Sequence, residues 1–210
     1  SRLGLGTMTW GRDTDEHEAR DQLSHFCAAG GTLVDTADVY VDGAAERILG
    51  GLVGDVVARQ DVVIATKAAS RPGTDRRFDA SRGYLLSSLE ASLRRLGTDY
   101  VDLWQFHEII YDNDPDWVFE KGGLKAALEA RKAGKVRHIG FTGHKDPRIH
   151  LAMLGKPFAW DAAQMPINVL DLHYRSFQKQ VVPVCLEKSV GVIGMKGMGG
   201  GDGIARGAGL

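Results

Sequence analysis

The sequence predicts an α/β fold with a parallel sheet, of the (β/α)8 barrel class, with about seven of the eight strands present in 210 residues. Three observations lead there. Strand patterns and helix patterns alternate along the chain without interruption, which means right-handed βαβ units and a parallel sheet. Three successive apolar runs end in chemistry-bearing side chains: residues 32–35 reach Asp35 with Tyr40 just beyond, 61–67 reach Lys67, and 101–107 reach His107. In a parallel barrel those strand ends form one rim, where active sites are built. Finally, the doubly wound alternative requires a glycine fingerprint after its first strand, and Gly4-Leu-Gly6 lacks the third glycine.

The elements follow in order. Residues 3–8 read as the first strand. Asp13 with Glu16 three residues on reads as a capping box, and Ala19, Leu23, Phe26 and Cys27 form the helical stripe behind it, closed by Gly30. The second strand is 32–35, and a helix from Ala44 to about Ala58 turns Ile48, Leu49, Leu52 and Val56 inward. After the third strand, 70–75 is a loop by its turn residues. Leu85, Leu86, Leu89, Leu93 and Leu96 mark a helix that Gly97 ends, and the fourth strand runs to His107. Pro115 suits a first helical turn, and Leu124 to Ala133 is a helix ended by Gly134. Then come a strand at 136–141, a helix at 147–154, a strand at 160–165, a helix around Val181, Val182, Cys185 and Leu186, a strand at 190–195 and a glycine-rich tail. All 210 residues read as a single domain. A barrel of this kind takes about 250 residues, so the segment carrying the last strand is expected beyond the C-terminal end. The start at Ser1 without Met leads to the expectation of further sequence before it.

Composition narrows the classes. Lys and Arg number 26 against 27 Asp and Glu, so no broad positive footprint points to nucleic acid. No long uncharged apolar run or signal peptide is present, so no membrane span is expected. Cys27 and Cys185 lie in apolar helical patterns and read as buried free thiols, which fits a cytoplasmic, reducing setting. There is no HExxH and no cysteine cluster, so no metal site is expected. His17, His25, His150 and His173 lie in helical stretches and read as solvated or capping side chains, while His144 lies on a rim loop within reach of a substrate.

The rim residues make a coherent chemical group. A phenol has a pKa of about 10 and is a poor acid near neutrality. A nearby ammonium favours the phenolate, and a carboxylate holds that ammonium charged and in place. An imidazole can orient a carbonyl oxygen. Such a group gives a proton to an oxygen that is gaining charge. The alternatives are a Schiff-base lyase using Lys67 and a cofactor-sensing regulatory subunit on the same barrel.

Asp35-Thr-Ala-Asp-Val-Tyr40 with Glu46, Lys67 and His107 resembles the signature of the aldo-keto reductase family, with a bacterial cast. The likeness extends to Gly4-Leu-Gly-Thr-Met-Thr-Trp-Gly11, Leu96-Gly-Thr-Asp-Tyr-Val-Asp-Leu103, Gly134-Lys-Val-Arg-His-Ile-Gly-Phe141 and Gln164, and covers nearly the whole chain. It implies NADPH-dependent reduction of a small aldehyde or ketone, NADH being the alternative. Tyr40 would be the proton donor, Lys67 and Asp35 its tuning pair, and His107 the carbonyl orienter. Thr7, Met8, Asp35, Thr142, Gly143, Gln164, Met195 and Lys196 fall at cofactor-contacting positions. Four positions depart from the family pattern: Val41 follows the tyrosine where glycine is common, Thr142-Gly143 stands in place of Ser-Asn, and Met195 replaces an aromatic. The tail at 197–203 could cradle a pyrophosphate with backbone N–H groups.

Overall fold

The computed structural model describes residues 1–75 and 77–197. They fall into two compact units, one comprising Ser1–Phe106 and Trp117–Ile139, the other His107–Asp116 and the chain from Gly140 onward.

The first unit opens with β1 (Gly4–Gly6), α1 (Glu16–Ala28), β2 (Leu33–Asp35), α2 (Ala44–Leu52), β3 (Val63–Ala68), α3 (Arg82–Leu96) and β4 (Val101–Phe106). Its strands pair in chain order, all parallel: Gly6 lies opposite Asp35, Asp35 opposite Ala65, and Lys67 opposite Gln105. Only Val63 of β3 and no residue of β4 is exposed, the pattern of parallel strands covered on both faces. The stripe of α3 buries Leu85, Leu89, Leu93 and Leu96, and Gly97 caps the helix at φ 63°. A short helix, α4 (Asp114–Glu120), starts in the second unit and finishes in the first. The first unit also holds α5 (Gly123–Lys132) and the start of β5 (Val136–Thr142).

Two local expectations shift. The capping box sits at Asp15 and Glu18 instead of Asp13 and Glu16. Residues 9–14 close a turn first: Gly11 N–H donates to Thr14 O at 2.8 Å, Asp13 N–H donates to Thr9 O at 3.0 Å, and the Asp13 carboxylate is taken by Arg12 at 2.6 Å. Helix α2 stops at Leu52 and does not run to Ala58, because Val53 is extended and Gly54 turns left-handed at φ 97°.

The N-terminal ends of β3 and β4 meet around Asp102. Its carboxylate accepts from the Ile64 N–H at 2.9 Å, from Arg59 at 2.9 Å and from Arg137 at 2.7 Å. Both guanidinium groups lie 4.1 Å from the centroid of the Tyr100 ring. This cluster is the physical content of the Thr98-Asp-Tyr-Val-Asp102 run.

The second unit contains the end of β5, then α6 (Pro147–Gly155), β6 (Ala162–Pro166), α7 (Phe177–Gln180), α8 (Val182–Glu187) and β7 (Gly191–Met195). Strands β5, β6 and β7 are parallel neighbours in that order. Its core is aromatic: the Phe141 ring lies 5.1 Å from both His150 and Trp160, and His150 lies 5.0 Å from Phe177. Cys27 and Cys185 are free thiols. No helix among the described residues is long and apolar enough to cross a membrane.

Candidate active site

The register of the first unit brings three chemistry-bearing side chains together at the C-terminal ends of β2 and β3. Lys67 is 1% exposed and donates to three oxygens: Asp35 Oδ2 at 2.7 Å, Thr36 O at 2.7 Å and Tyr40 Oη at 3.2 Å. Burial by itself lowers the pKa of such an amine, but the Asp35 carboxylate and the Tyr40 oxygen outweigh it, and the net direction is up. The ammonium is therefore held charged beside the phenol. Tyr40 reaches it from a single tight turn, Tyr40–Gly43, in which Val41, Asp42 and Gly43 all have left-handed φ, at 48°, 51° and 77°. Thr7 anchors the same strand ends, its N–H and its hydroxyl both donating to Asp35 O at 3.0 and 3.2 Å.

Glu46 is fully buried behind this group. It accepts from Arg95 Nε at 2.7 Å and from the Thr66 hydroxyl at 2.5 Å, which joins α2, α3 and β3. Three polar atoms of the Asp35-to-Tyr40 segment are closed to solvent and have no hydrogen-bond partner: Asp35 Oδ1, Thr36 Oγ1 and Asp38 Oδ1.

His107, directly after β4, is buried and belongs to the second unit. That unit brings together Thr142, Gly143 and Gln164. Thr142 lies opposite Gln164 in the β5–β6 pairing, the Thr142 hydroxyl accepts from the Glu108 N–H at 3.2 Å, and the Gly143 N–H donates to Gln164 O at 3.3 Å. A Cβ at residue 143 would lie 2.3 Å from Ile109 O, so the backbone there has room only for glycine. Met195 ends β7, half-buried, and Lys196 follows it exposed with φ 56°. Met8 is exposed. His144 is half-buried, and burial, with Lys196 nearby, lowers its pKa while Glu108 opposes. Except for Gly197, the tail lies outside the described residues.

His150 departs from the solvated reading. It is completely buried, its Nε2 is 3.1 Å from Gln164 O, and burial pushes its pKa down to about 4. It is neutral near pH 7, and the Nε2–H tautomer donates to that carbonyl. Sequence spacing does not single out Thr36, Asp38 or Arg95. Of these, Asp38 carried a signal, an acid between two residues already singled out. No group of three or more His, Cys, Asp or Glu side chains among the described residues could hold a metal ion.

The model of the Aldo/keto reductase family matches residues 2–206. Aldo-keto reductase YhdN of Bacillus subtilis is 31% identical over 196 residues, covering 90% of this chain and 56% of that protein. Among solved structures, aldo-keto reductase AKR11C1 of Bacillus halodurans in its holo form has a TM-score of 0.76 at 31% identity, over 91% of this chain and 60% of that one. The glycerol dehydrogenase AKR11B4 of Gluconobacter oxydans has a TM-score of 0.72 at 25% identity, over 92% and 59%. The chain thus spans a little over half the length of these relatives. Its fold class is that of the parallel (β/α)8 barrels, with seven strands among the described residues. With the family model spanning nearly all of it, the chain belongs to the aldo/keto reductase family.

Proposed function

We propose that this chain belongs to an enzyme that reduces a small aldehyde or ketone to an alcohol, with NADPH as the reductant and Tyr40 as the proton donor. The observation that carries the reading is the buried Lys67 with its Asp35 and Tyr40 partners. When bound, the nicotinamide supplies a hydride to the carbonyl carbon. The chain's own residues do the rest. As the carbonyl oxygen gains charge, Tyr40 gives it the phenolic proton, and the adjacent Lys67 ammonium lowers the cost of the phenolate left behind. Asp35 keeps that ammonium charged and in line. On the family resemblance, His107 orients the carbonyl oxygen.

The residues present fit a nicotinamide cofactor. Asp35 Oδ1, buried and without a partner, is an acceptor suited to a ribose hydroxyl. Thr7 and Met8 would flank it. Within the second unit, Thr142 and Gln164 offer polar groups suited to a carboxamide, and on the family resemblance Gly143, Met195 and Lys196 are further cofactor-contacting positions. A soluble setting in the cytoplasm fits this chemistry. A Schiff-base lyase requires a neutral amine, and Lys67 is held in the opposite state by three acceptors.

The test is NADPH consumption followed at 340 nm with a panel of aldehydes and ketones. Turnover by the parent, with loss of at least about 100-fold in Tyr40→Phe and retained cofactor binding, is the expected result. Parent-level reduction by Tyr40→Phe would remove the assignment. Cofactor binding with no turnover on any carbonyl would favour the cofactor-sensing subunit.

A further inference from the structure

His150, on α6, is completely buried in the second unit, and the reaction as described gives it no task. Its Nε2 lies 3.1 Å from Gln164 O, and the Gly143 N–H donates to the same oxygen at 3.3 Å. One carbonyl of β6 thus receives two donors, one from α6 and one from the residue that follows β5, and both of its lone pairs are used. The ring also limits what can stand at 143. A Cβ there would lie 2.8 Å from His150 Cε1 and 2.3 Å from Ile109 O. Ile109 is itself held, its N–H donating to Thr142 O at 2.7 Å. The imidazole is held by Phe141 and Phe177, whose ring centroids lie 5.1 and 5.0 Å from its own. A ring packed in this way has little freedom to turn, so its hydrogen bond has a fixed direction.

We propose that His150 is a positioning residue for the nicotinamide end of the cofactor: its Nε2–H holds the Gln164 main chain beside Gly143, and its ring occupies the space that a side chain at 143 would need. The proposal rests on the reading that Gly143 and Gln164 contact the nicotinamide carboxamide. Because His150 is closed to solvent, it acts through those two residues and not on a bound molecule. The departure from Ser-Asn at Thr142-Gly143 then has a physical reason, since an asparagine side chain at 143 would have to start where His150 and Ile109 already stand. Residues that contact a ligand keep their geometry only when a second set of contacts holds them. Without the Nε2–H, Gln164 O keeps one donor of two, and the ends of β5 and β6 lose their link to α6.

Two variants separate this role from packing. In His150→Gln the side-chain amide nitrogen reaches the place of Nε2 and still donates to Gln164 O. In His150→Asn the amide reaches only as far as Nδ1 and loses that bond. Calorimetric titration follows two probes: NADPH, and the phosphorylated ADP-ribose that remains when the nicotinamide is removed. His150→Asn is expected to bind NADPH roughly 10-fold more weakly than the parent and the fragment equally well, while His150→Gln binds both like the parent. Parent-level NADPH binding by His150→Asn would overturn the proposal, and so would an equal loss on both probes, which marks a general structural defect. Nitrogen NMR of the cofactor-free parent at neutral pH gives a readout independent of both probes. The Nε2–H tautomer of His150 is expected, and the Nδ1–H tautomer would overturn the proposal, because Nε2 would then face Gln164 O as a second acceptor. A parent that binds neither probe would remove the proposed cofactor and this role with it. If His150→Asn does not fold, His150→Leu, which also lacks the donor, replaces it. Failure of both to fold would make His150 a structural residue and end the proposal.

Discussion

Lys67 has no ammonium proton left for solvent, and that fixes what its removal does. In Lys67→Met, Asp35 loses its cation while its carboxylate remains only 15% exposed. Breaking a buried pair from one side costs about 3 kcal/mol, so urea unfolding should show a loss of that order. The pH profile of carbonyl reduction should move as well, because the phenol loses the charge that favours its anion. A profile unchanged in both position and height would remove the tuning role. The neighbouring turn makes an opposite case. Val41 is a β-branched residue at φ 48°, ψ 49°, a conformation that costs a non-glycine residue about 1–3 kcal/mol. Val41→Gly relieves that strain and gives back part of it through a more flexible unfolded chain. The net expectation is a gain of about 1 kcal/mol in chemical denaturation, and a loss would show that the Val41 side chain contributes more than its strain costs.

Among the elements, helix packing depends on one small residue. A Cβ on Gly50 of α2 would lie 2.3 Å from Arg95 O and within 2.8–2.9 Å of Leu96 backbone atoms, all of them main chain. Backbone cannot rotate away, so Gly50→Ala must push α2 off α3 and should cost about 1–3 kcal/mol. An unchanged unfolding midpoint would mean that the two helices slide without penalty. The same elements show what could be read without the structure. The leucine stripe of α3 and the lysine and histidine ending apolar runs were legible, because each depends on local spacing and on the parallel alternation of elements. The end of α2 was not: Val53 leaves the helix although Val56 continues its stripe, and a break of that kind depends on how Gly54 turns. Asp13 looked as good a cap as Asp15, and only the turn made by Thr9, Gly11 and Thr14 decides between them. His150 read as one more polar residue on a helix. Its burial between Phe141 and Phe177, and its bond to Gln164 O, join residues far apart in the chain, and no spacing rule reports that. Of the site itself, the sequence revealed the residues that carry charge but not how they are paired: that Thr36 contributes a carbonyl, or that Arg95 is taken up by Glu46, follows only from the fold.

For the molecule as a whole, the buried His150 and the half-buried Asp38 set opposite slopes of stability against pH. His150 has a pKa of about 4 when folded, against an ordinary 6.5. Between those values the unfolded chain binds the extra proton, so stability rises with pH and is lost as pH falls towards 4. Asp38 has a pKa of about 7 when folded, against an ordinary 3.8. Here the folded chain holds the proton, so stability is greatest below the ordinary value and falls as pH rises towards 7. Each slope is about 1.4 kcal/mol per pH unit. From roughly pH 4.5 to 6.5 the two oppose each other, provided the chain unfolds in one transition. The measurement is denaturant unfolding across that window for the parent, His150→Gln and Asp38→Asn, with all other groups cancelling in the differences. Relative to the parent, His150→Gln should lose stability as pH rises and Asp38→Asn should gain it. His150 and Asp38 belong to different compact units, so the parent carries a second readout. If the units unfold separately, its two transitions should move in opposite directions with pH. Three parallel profiles would show that neither group keeps its folded-state protonation in solution.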